Sequence, residues 1–291
     1  MDIYDAATYF DQLAVTDAYS GAALFNAQLD LHDAAERDSM TGWRRSCSAA
    51  AVTMPARRVV AIGGQAYLAG NRTPDFLGGV KIREHLLLHP ADGLYSRGWA
   101  KAFLEDDEDN LTDAYGALAI RKEVKEEGQS SQTFNLYNVY VATTETVYRD
   151  QLLLDANGVY FRVQNVERQT GGLKTLYVSE LEAAPIFEVT YIPAGAYDAA
   201  TDTVTAGTQD AVQALYERYQ TNYRYTRWAA EKFRNGDVVL TVNATDIAAP
   251  EPNDRFSVAG EGFRVLERQS DGHGCWELHL RPAAFNLVVE T

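Results

Sequence analysis

The sequence predicts a mainly β protein, α+β in the broad sense. It is expected to hold two or three small antiparallel β-barrel or sandwich modules, an N-terminal helical segment and one long helix near residues 208–234. Three observations carry this. Runs of β-branched and aromatic residues of strand length recur along the chain, divided by Gly-rich turns. Aromatics make up 11% of residues and Tyr alone occurs 17 times, an excess that suits strands and protein interfaces. Two of the runs are near-copies, Phe161-Arg-Val-Gln-Asn-Val-Glu-Arg-Gln-Thr-Gly-Gly and Phe263-Arg-Val-Leu-Glu-Arg-Gln-Ser-Asp-Gly.

At 291 residues the chain is too long for one small domain, and with 46% hydrophobic residues it has enough apolar material for packed cores. Lys and Arg total 26 against 41 Asp and Glu, a formal net charge of −15. That balance is the reverse of a nucleic-acid binder and disfavours an anionic membrane surface. It serves solubility, or a surface that repels a passing polyanion. Cys47 and Cys275 lie far apart, so no disulfide framework is expected and each reads as a small buried residue. Met1 is followed by Asp2, Ile3, Tyr4 and Asp5, not by a cationic and apolar leader. No apolar run approaches the ~20 residues of a membrane span. The expectation is a protein kept in cytosol-like conditions until assembly.

Taken in order, residues 1–45 read as helical, because the alanine- and leucine-containing composition of Asp5–Leu13 and the spacing of Leu24, Ala27 and Leu31 fit a helix, with Ser20-Gly21 as a break. From Ala49 the character turns to β: Val52–Ile62 ends at Gly63-Gly64, Gln65–Gly70 follows, and Val80–Leu88 alternates up to His89-Pro90. Residues 91–132 form a polar bridge. Phe134–Tyr148 is β by residue type, and Asp155-Ala-Asn-Gly is the strongest hairpin turn, of the type I′ kind that Asn-Gly favours. Val159–Gln169 leads through Thr170-Gly-Gly to Leu173–Ser179, and Ile186–Ala206 holds another strand and loop region. The long helix rests on Val212, Leu215, Tyr216, Tyr219, Tyr223 and Trp228 or Phe233, and Asn235-Gly236 stops it. Strands around Asp237–Asn243, Phe256–Gly260, Phe263–Gln269 and Cys275–Leu280 complete the chain. The expected modules are residues 1–100, N-terminal helices with a first β module; 101–185, an acidic linker with a second; and 186–291, the long helix with a third.

The two near-copies differ by two residues between Phe-Arg-Val and Glu-Arg-Gln, a slip that keeps each strand's inner face inside. Each is followed by a Gly turn and a strand with a large aromatic, Tyr177 or Trp276. Residues 65–88 follow the same order more loosely. One strand rule reused two or three times indicates small barrels, not a solenoid.

No catalytic pattern emerges, and no enzyme activity or cofactor is expected. His85 and His89 are four apart, but on a strand that separation spans ~13 Å. His273 and His279 flank Cys275 without a ligand geometry. There is no Gly-x-Ser-x-Gly elbow and no phosphate loop. The acidic run Glu105, Asp106, Asp107, Glu108 and Asp109 lacks the Gly and the terminal Glu of a calcium loop. It reads as a solvated loop or as the acidic lining of an assembly. With Trp99 it is also the one seed for a small-molecule or carbohydrate pocket. The helix residues Tyr216, Arg218, Tyr219, Tyr223, Arg224 and Trp228 interleave aromatics and arginines. On a nucleic-acid binder they would stack bases; the favoured reading is a subunit interface.

Asp254-Arg-Phe-Ser-Val-Ala-Gly-Glu-Gly-Phe-Arg-Val-Leu-Glu-Arg-Gln and Leu152-Leu-Leu-Asp-Ala-Asn-Gly-Val-Tyr-Phe-Arg-Val-Gln-Asn-Val carry a resemblance to the head-closure, or stopper, proteins of the tailed-bacteriophage neck. The resemblance implies a homo-oligomeric ring in the virion, assembled in the host cytoplasm. The ring would contact portal and tail proteins and line or gate the channel that DNA passes without specific binding. A typical stopper resembles one such module, whereas this chain holds two or three. A tail terminator, a baseplate or capsid-associated protein, or a small-molecule-binding β protein are the alternatives.

Overall fold

The computed structural model describes residues 13–31, 44–49, 58–127, 130–168, 172–181, 184–198, 203–218, 234 and 236–283. Its strands close into three six-stranded antiparallel barrels. The first contains β1 (Leu13–Asp17), β2 (Ala23–Leu31), β3 (Arg44–Ala49), β4 (Val59–Ile62), β5 (Gln65–Leu77) and β6 (Val80–Pro90). The second contains β7 (Gly93–Gly98), β8 (Thr112–Glu127), β9 (Ser130–Ala142), β10 (Leu152–Leu154), β11 (Tyr160–Arg168) and β12 (Leu173–Glu180). The third contains β13 (Ile186–Ile192), β16 (Asp210–Arg218), β17 (Val238–Asn243), β18 (Arg255–Val258), β19 (Glu261–Ser270) and β20 (Cys275–Pro282). Between β13 and β16 a separate two-stranded ribbon is formed by β14 (Ala194–Asp198) and β15 (Thr203–Ala206). The expected mainly β fold of small antiparallel barrels is the fold observed.

All three barrels have one topology. Counting strands within each barrel, the order around the ring is first, second, third, sixth, fifth, fourth. The match extends to single hydrogen bonds. Within its first five residues the fifth strand carries an aromatic, a middle residue and a small or branched residue: Tyr67-Leu68-Ala69, Phe161-Arg162-Val163 and Phe263-Arg264-Val265. After the third of these residues each fifth strand bulges by one residue against its sixth strand. The amide of Ala69, Val163 or Val265 donates to the carbonyl just before the fourth strand, on Arg58, Gln151 or Asp254, at 2.7, 2.9 and 2.7 Å. The residue after the sixth strand, Ala91, Leu181 or Ala283, donates to the carbonyl just before the aromatic, on Ala66, Tyr160 or Gly262, at 2.9, 2.8 and 2.9 Å. The aromatics Tyr67, Phe161 and Phe263 are all buried.

The register corrects the sequence alignment. Phe161 pairs with Glu180 and Arg168 with Lys174, while Phe263 pairs with Pro282 and Ser270 with Trp276. The two hairpins therefore align without a gap, and the two-residue slip is not needed. Gly172 then matches Gly274, both at positive φ, and Tyr177 matches His279 and not Trp276.

Two helical expectations are overturned. Residues 13–17 and 23–31 are strands, and so is 210–218 of the long helix; residues 1–12, 32–43, 219–233 and 235 lie outside the described residues. Helical spacing of Val212, Leu215 and Tyr216 misled because both faces of the C-terminal half of β16, from Ala214 to Glu217, are buried. Val212, Ala214 and Tyr216 point into the barrel, and Leu215 lies on the other face. In β2 the Ala- and Leu-rich composition yields to pairing with β1 and β3, since ring closure outweighs a helix preference of a few tenths of a kcal/mol per residue.

The turns also differ from expectation. Asn157 lacks the positive φ that a type I′ turn requires; its amide instead donates to Asp155 Oδ1 at 2.8 Å, and Gly158 alone is left-handed. Gly63-Gly64 (φ 58° and 81°) and Gly78-Gly79 (φ 59° and 83°) make the two-residue turns, joining β4 to β5 and β5 to β6. The second is a projecting tip, where Phe76, Leu77 and Val80 are 60%, 61% and 67% exposed.

The described residues fall into two compact units, divided at Arg97/Gly98, Thr112/Asp113, Asn157/Gly158, Tyr160/Phe161 and Glu180/Leu181. The first unit holds the first barrel and nearly all of the second. Here Val59, Leu68 and Ala91 of the first barrel pack on Ala117, Tyr140, Ala142 and Leu173 of the second. Tyr19 joins them as well: its hydroxyl donates to Glu145 Oε1 at 2.8 Å and accepts from the Tyr115 amide at 3.1 Å. Arg97, beside Glu145 at 3.3 Å, and Lys174, which donates to the Glu145 carbonyl, complete that junction.

The second unit is built on the third barrel, whose core includes Val212, Leu240, Phe256, Phe263, Leu278 and Leu280. Every residue of β17 is buried. Its inner face fills the barrel and its outer face is covered by α1 (Ala100–Leu104), whose Ala100, Phe103 and Leu104 are buried and which contacts β16 and β17.

Candidate functional site

The acidic run follows α1 directly. Glu105 caps the helix through its amide to the Lys101 carbonyl, Asp106 is left-handed at φ 53°, and Glu108–Asn110 form one 3₁₀ turn. The five carboxylates do not converge. Glu105 Oε1 accepts from Asn243 Nδ2 at 2.6 Å and lies 3.6 Å from Lys101 Nζ, while Asp107 Oδ2 accepts from Asn110 at 2.5 Å. Asp106, Glu108 and Asp109 are exposed, so the loop presents negative charge outward from the third barrel. Among the described residues no group of three His, Cys, Asp or Glu side chains is arranged to hold a metal ion.

Trp99 is engaged by the protein itself. Its ring stacks on His273 with centroids 3.4 Å apart and planes 12° from parallel. This contact seats the turn between β19 and β20 on the start of α1, and Gly274 approaches the Lys101 side chain. Cys275, which opens β20, is buried and carries a free thiol. Burial pushes that thiol up to about 12, with Asp271 adding to the shift, so thiolate chemistry is suppressed near neutral pH.

Of the expected interface residues, Tyr216 is buried. Its ring lies 5.7 Å from Phe187 in the barrel core, and its hydroxyl accepts from Arg218 Nε at 3.3 Å. Arg218 is exposed at the end of β16; Tyr219, Tyr223, Arg224 and Trp228 lie outside the described residues.

Two polar clusters that sequence reading missed organise the third barrel. Asp237, just before β17, accepts from the Arg234 amide (2.8 Å), Arg281 Nε (2.9 Å), Arg281 Nη2 (2.8 Å) and His279 Nε2 (2.8 Å). Burial alone would raise the Asp237 carboxyl, but the Arg281 guanidinium, the Arg234 amide and His279 together hold it below the usual carboxylate value. Asp254, also buried, ties the β14 ribbon and the loop before β18 to the barrel. It accepts from the Tyr191 hydroxyl and the Ala194 and Glu251 amides, each at 2.7 Å. Burial and then Asp254 raise the Tyr191 phenol above its ordinary value. Neither cluster has a sequence signature, since its members are up to 63 residues apart. Asp254 was legible only as the first residue of the run that carried the neck resemblance.

Most of this barrel, from Phe187 in β13 to Leu280 in β20 with the ribbon and the Asp254 cluster, is the part of the chain that resembles a known family. Residues 187–280 match the Phage Head-Tail Attachment protein family. The attachment-family match spans the third barrel almost from end to end. No curated protein and no solved structure matches the chain. The match supports a phage structural protein of the head–tail connector kind in this C-terminal part. Among the described residues no helix is long and apolar enough to cross a membrane.

Proposed function

We propose that the chain is a structural, non-catalytic neck protein of a tailed-phage virion, joining head to tail as a homo-oligomeric ring around the DNA channel. The observation that carries this is the attachment-family match over residues 187–280, which covers nearly all of one barrel. Two features support it. The same barrel is built three times, which multiplies the surface open to docking. The net charge of −15 and the outward acidic loop at Glu105–Asp109 suit a wall along which a polyanion stays mobile. The partners on this reading are portal and tail proteins, with the chain itself.

Imaging of particles carrying a tagged chain tests the proposal: extra density is expected between portal and tail. Density at the baseplate or on the capsid lattice would refute it. A biochemical arm is mixing purified protein with heads and tails from a phage lacking it, where joining is expected only when the protein is added.

A further inference from the structure

The β8–β9 hairpin is longer than the barrel it helps to close. β12 pairs with β9 only from Tyr137 to Ala142, yet β8 and β9 stay paired from Gly116 and Val141 out to Glu127 and Ser130. On its other side β8 has β7 as its neighbour, a strand of six residues against the sixteen of β8. The Asp92 amide, just before β7, donates to the Gly116 carbonyl at 3.0 Å, and the Leu118 amide donates to Asp92 Oδ2 at 2.5 Å, so β7 lies along the start of β8. Among the described residues no strand pairs with the outer edge of β8 beyond Leu118. The pairs from Arg121↔Leu136 to Glu127↔Ser130 therefore form a two-stranded arm, an arrangement that is marginal in water until another strand or layer joins it.

The outer edge of that arm is charged in a particular order. The Gly116 carbonyl and the Leu118 amide face it, and the β8–β9 register runs to Glu127 without a shift, so strand alternation brings the backbone N–H and C=O of Lys122, Val124 and Glu126 to the same edge. Along it Arg121-Lys122-Glu123-Val124-Lys125-Glu126-Glu127 reads plus, plus, minus, neutral, plus, minus, minus. Reversed, this order is its own complement. A second copy laid antiparallel with Val124 opposite Val124 sets Arg121 opposite Glu127, Lys122 opposite Glu126 and Glu123 opposite Lys125, each of them twice. Charge that serves only to block an edge needs no such order. We infer that β8 pairs with β8 of a second copy across a two-fold axis at Val124, joining two ribbons into one four-stranded sheet. The backbone groups of Lys122, Val124 and Glu126 supply about six hydrogen bonds across the axis. The opposite charges fix the register, because a one-residue slip in either direction sets like charges against each other. The contact is isologous and closes at two copies, so it is not the ring contact and does not rest on the neck reading.

The test is a charge swap in the full chain at about 0.15 M salt, where long-range repulsion between copies is largely screened. Mass in solution is followed by analytical ultracentrifugation for wild type, for Arg121→Glu/Lys122→Glu and for Glu126→Lys/Glu127→Lys, with circular dichroism as the check on folding. Wild type is expected to dimerise. Each variant alone sets like charges opposite one another and should raise the dimer dissociation constant at least about tenfold. Mixed in equal amounts the two variants are complementary at every ionic position, and the mixed dimer should form again. That rescue separates pairing from a fold defect, which mixing cannot repair. Val124→Pro is the backbone counterpart: it deletes an N–H on the outer edge, leaves the bonds to β9 in place, and should weaken the dimer similarly. Wild type that stays monomeric to roughly 1 mM, variants that dimerise like wild type, or a mixture no tighter than either variant alone overturns the inference.

Discussion

Asp237 shows how one residue can govern a barrel. It receives four hydrogen bonds while almost fully buried, so removing it strands the Arg281 guanidinium and His279 beside a core. Asp237→Ala is expected to cost about 3–5 kcal/mol at pH 7, measured by urea unfolding. The pH dependence has a definite sign. The folded carboxyl is held below its unfolded value of about 3.9, so its contribution is complete above that pH and disappears as pH falls through the folded value. Wild type should therefore lose stability below about pH 4 more steeply than Asp237→Asn. Glycines give a second residue-level contrast. Gly172 and Gly158 are both left-handed (φ 87° and 81°), but a Cβ at Gly172 would stand 2.6 Å from Asn71 Oδ1 whereas Gly158 has open space. Gly158→Ala should cost about 1 kcal/mol and Gly172→Ala clearly more, read from thermal midpoints. Cys275 should resist thiol reagents in the native protein and react on unfolding, because burial keeps it protonated.

Among elements, the repeated hairpin was legible where residues were identical and hidden where only geometry was. Phe-Arg-Val at 161 and 263 announced the duplication, and the mainly β character followed from strand-length β-branched runs. Tyr67-Leu68-Ala69 shares with them only an aromatic and a small residue, so its place in the series rests on the common bulge and the paired hydrogen bonds. The middle residue changes for a local reason: Leu68 packs on the second barrel, whereas Arg162 donates to the Asp150 carbonyl at 3.5 Å. β16 was misread because α1 packs on it and Leu215 and Glu217 of its outer face are buried, which turns an alternating pattern into one that also fits a helix. The site was less legible than the fold. The acidic loop stood out by composition, but its anchoring to Asn243 and the Asp237 and Asp254 clusters depend on contacts between distant residues. The small helix α1 is the element most exposed to test. Phe103 is buried and meets Tyr160 edge-on at 5.6 Å, so Phe103→Ala should cost about 3–5 kcal/mol and speed amide exchange in β16 and β17.

For the whole molecule, the two compact units each have their own buried cluster, so unfolding should resolve into two calorimetric transitions. Asp237→Ala should move one of them and leave the other in place, because all of its partners lie in the second unit. The net charge of −15 sets a further expectation: no retardation of duplex DNA at about 50 mM salt, where even weak cationic binders are held. The shared strand order also dictates how the protein can fold. Each ring closes only when its first strand meets its fourth and its third meets its sixth, as β1 meets β4 and β3 meets β6. No barrel can be assembled from neighbouring hairpins alone. During synthesis each set of strands must wait, incomplete and adhesive, until its sixth member emerges from the ribosome, and refolding should be correspondingly slow and prone to swapping strands among three look-alike sets.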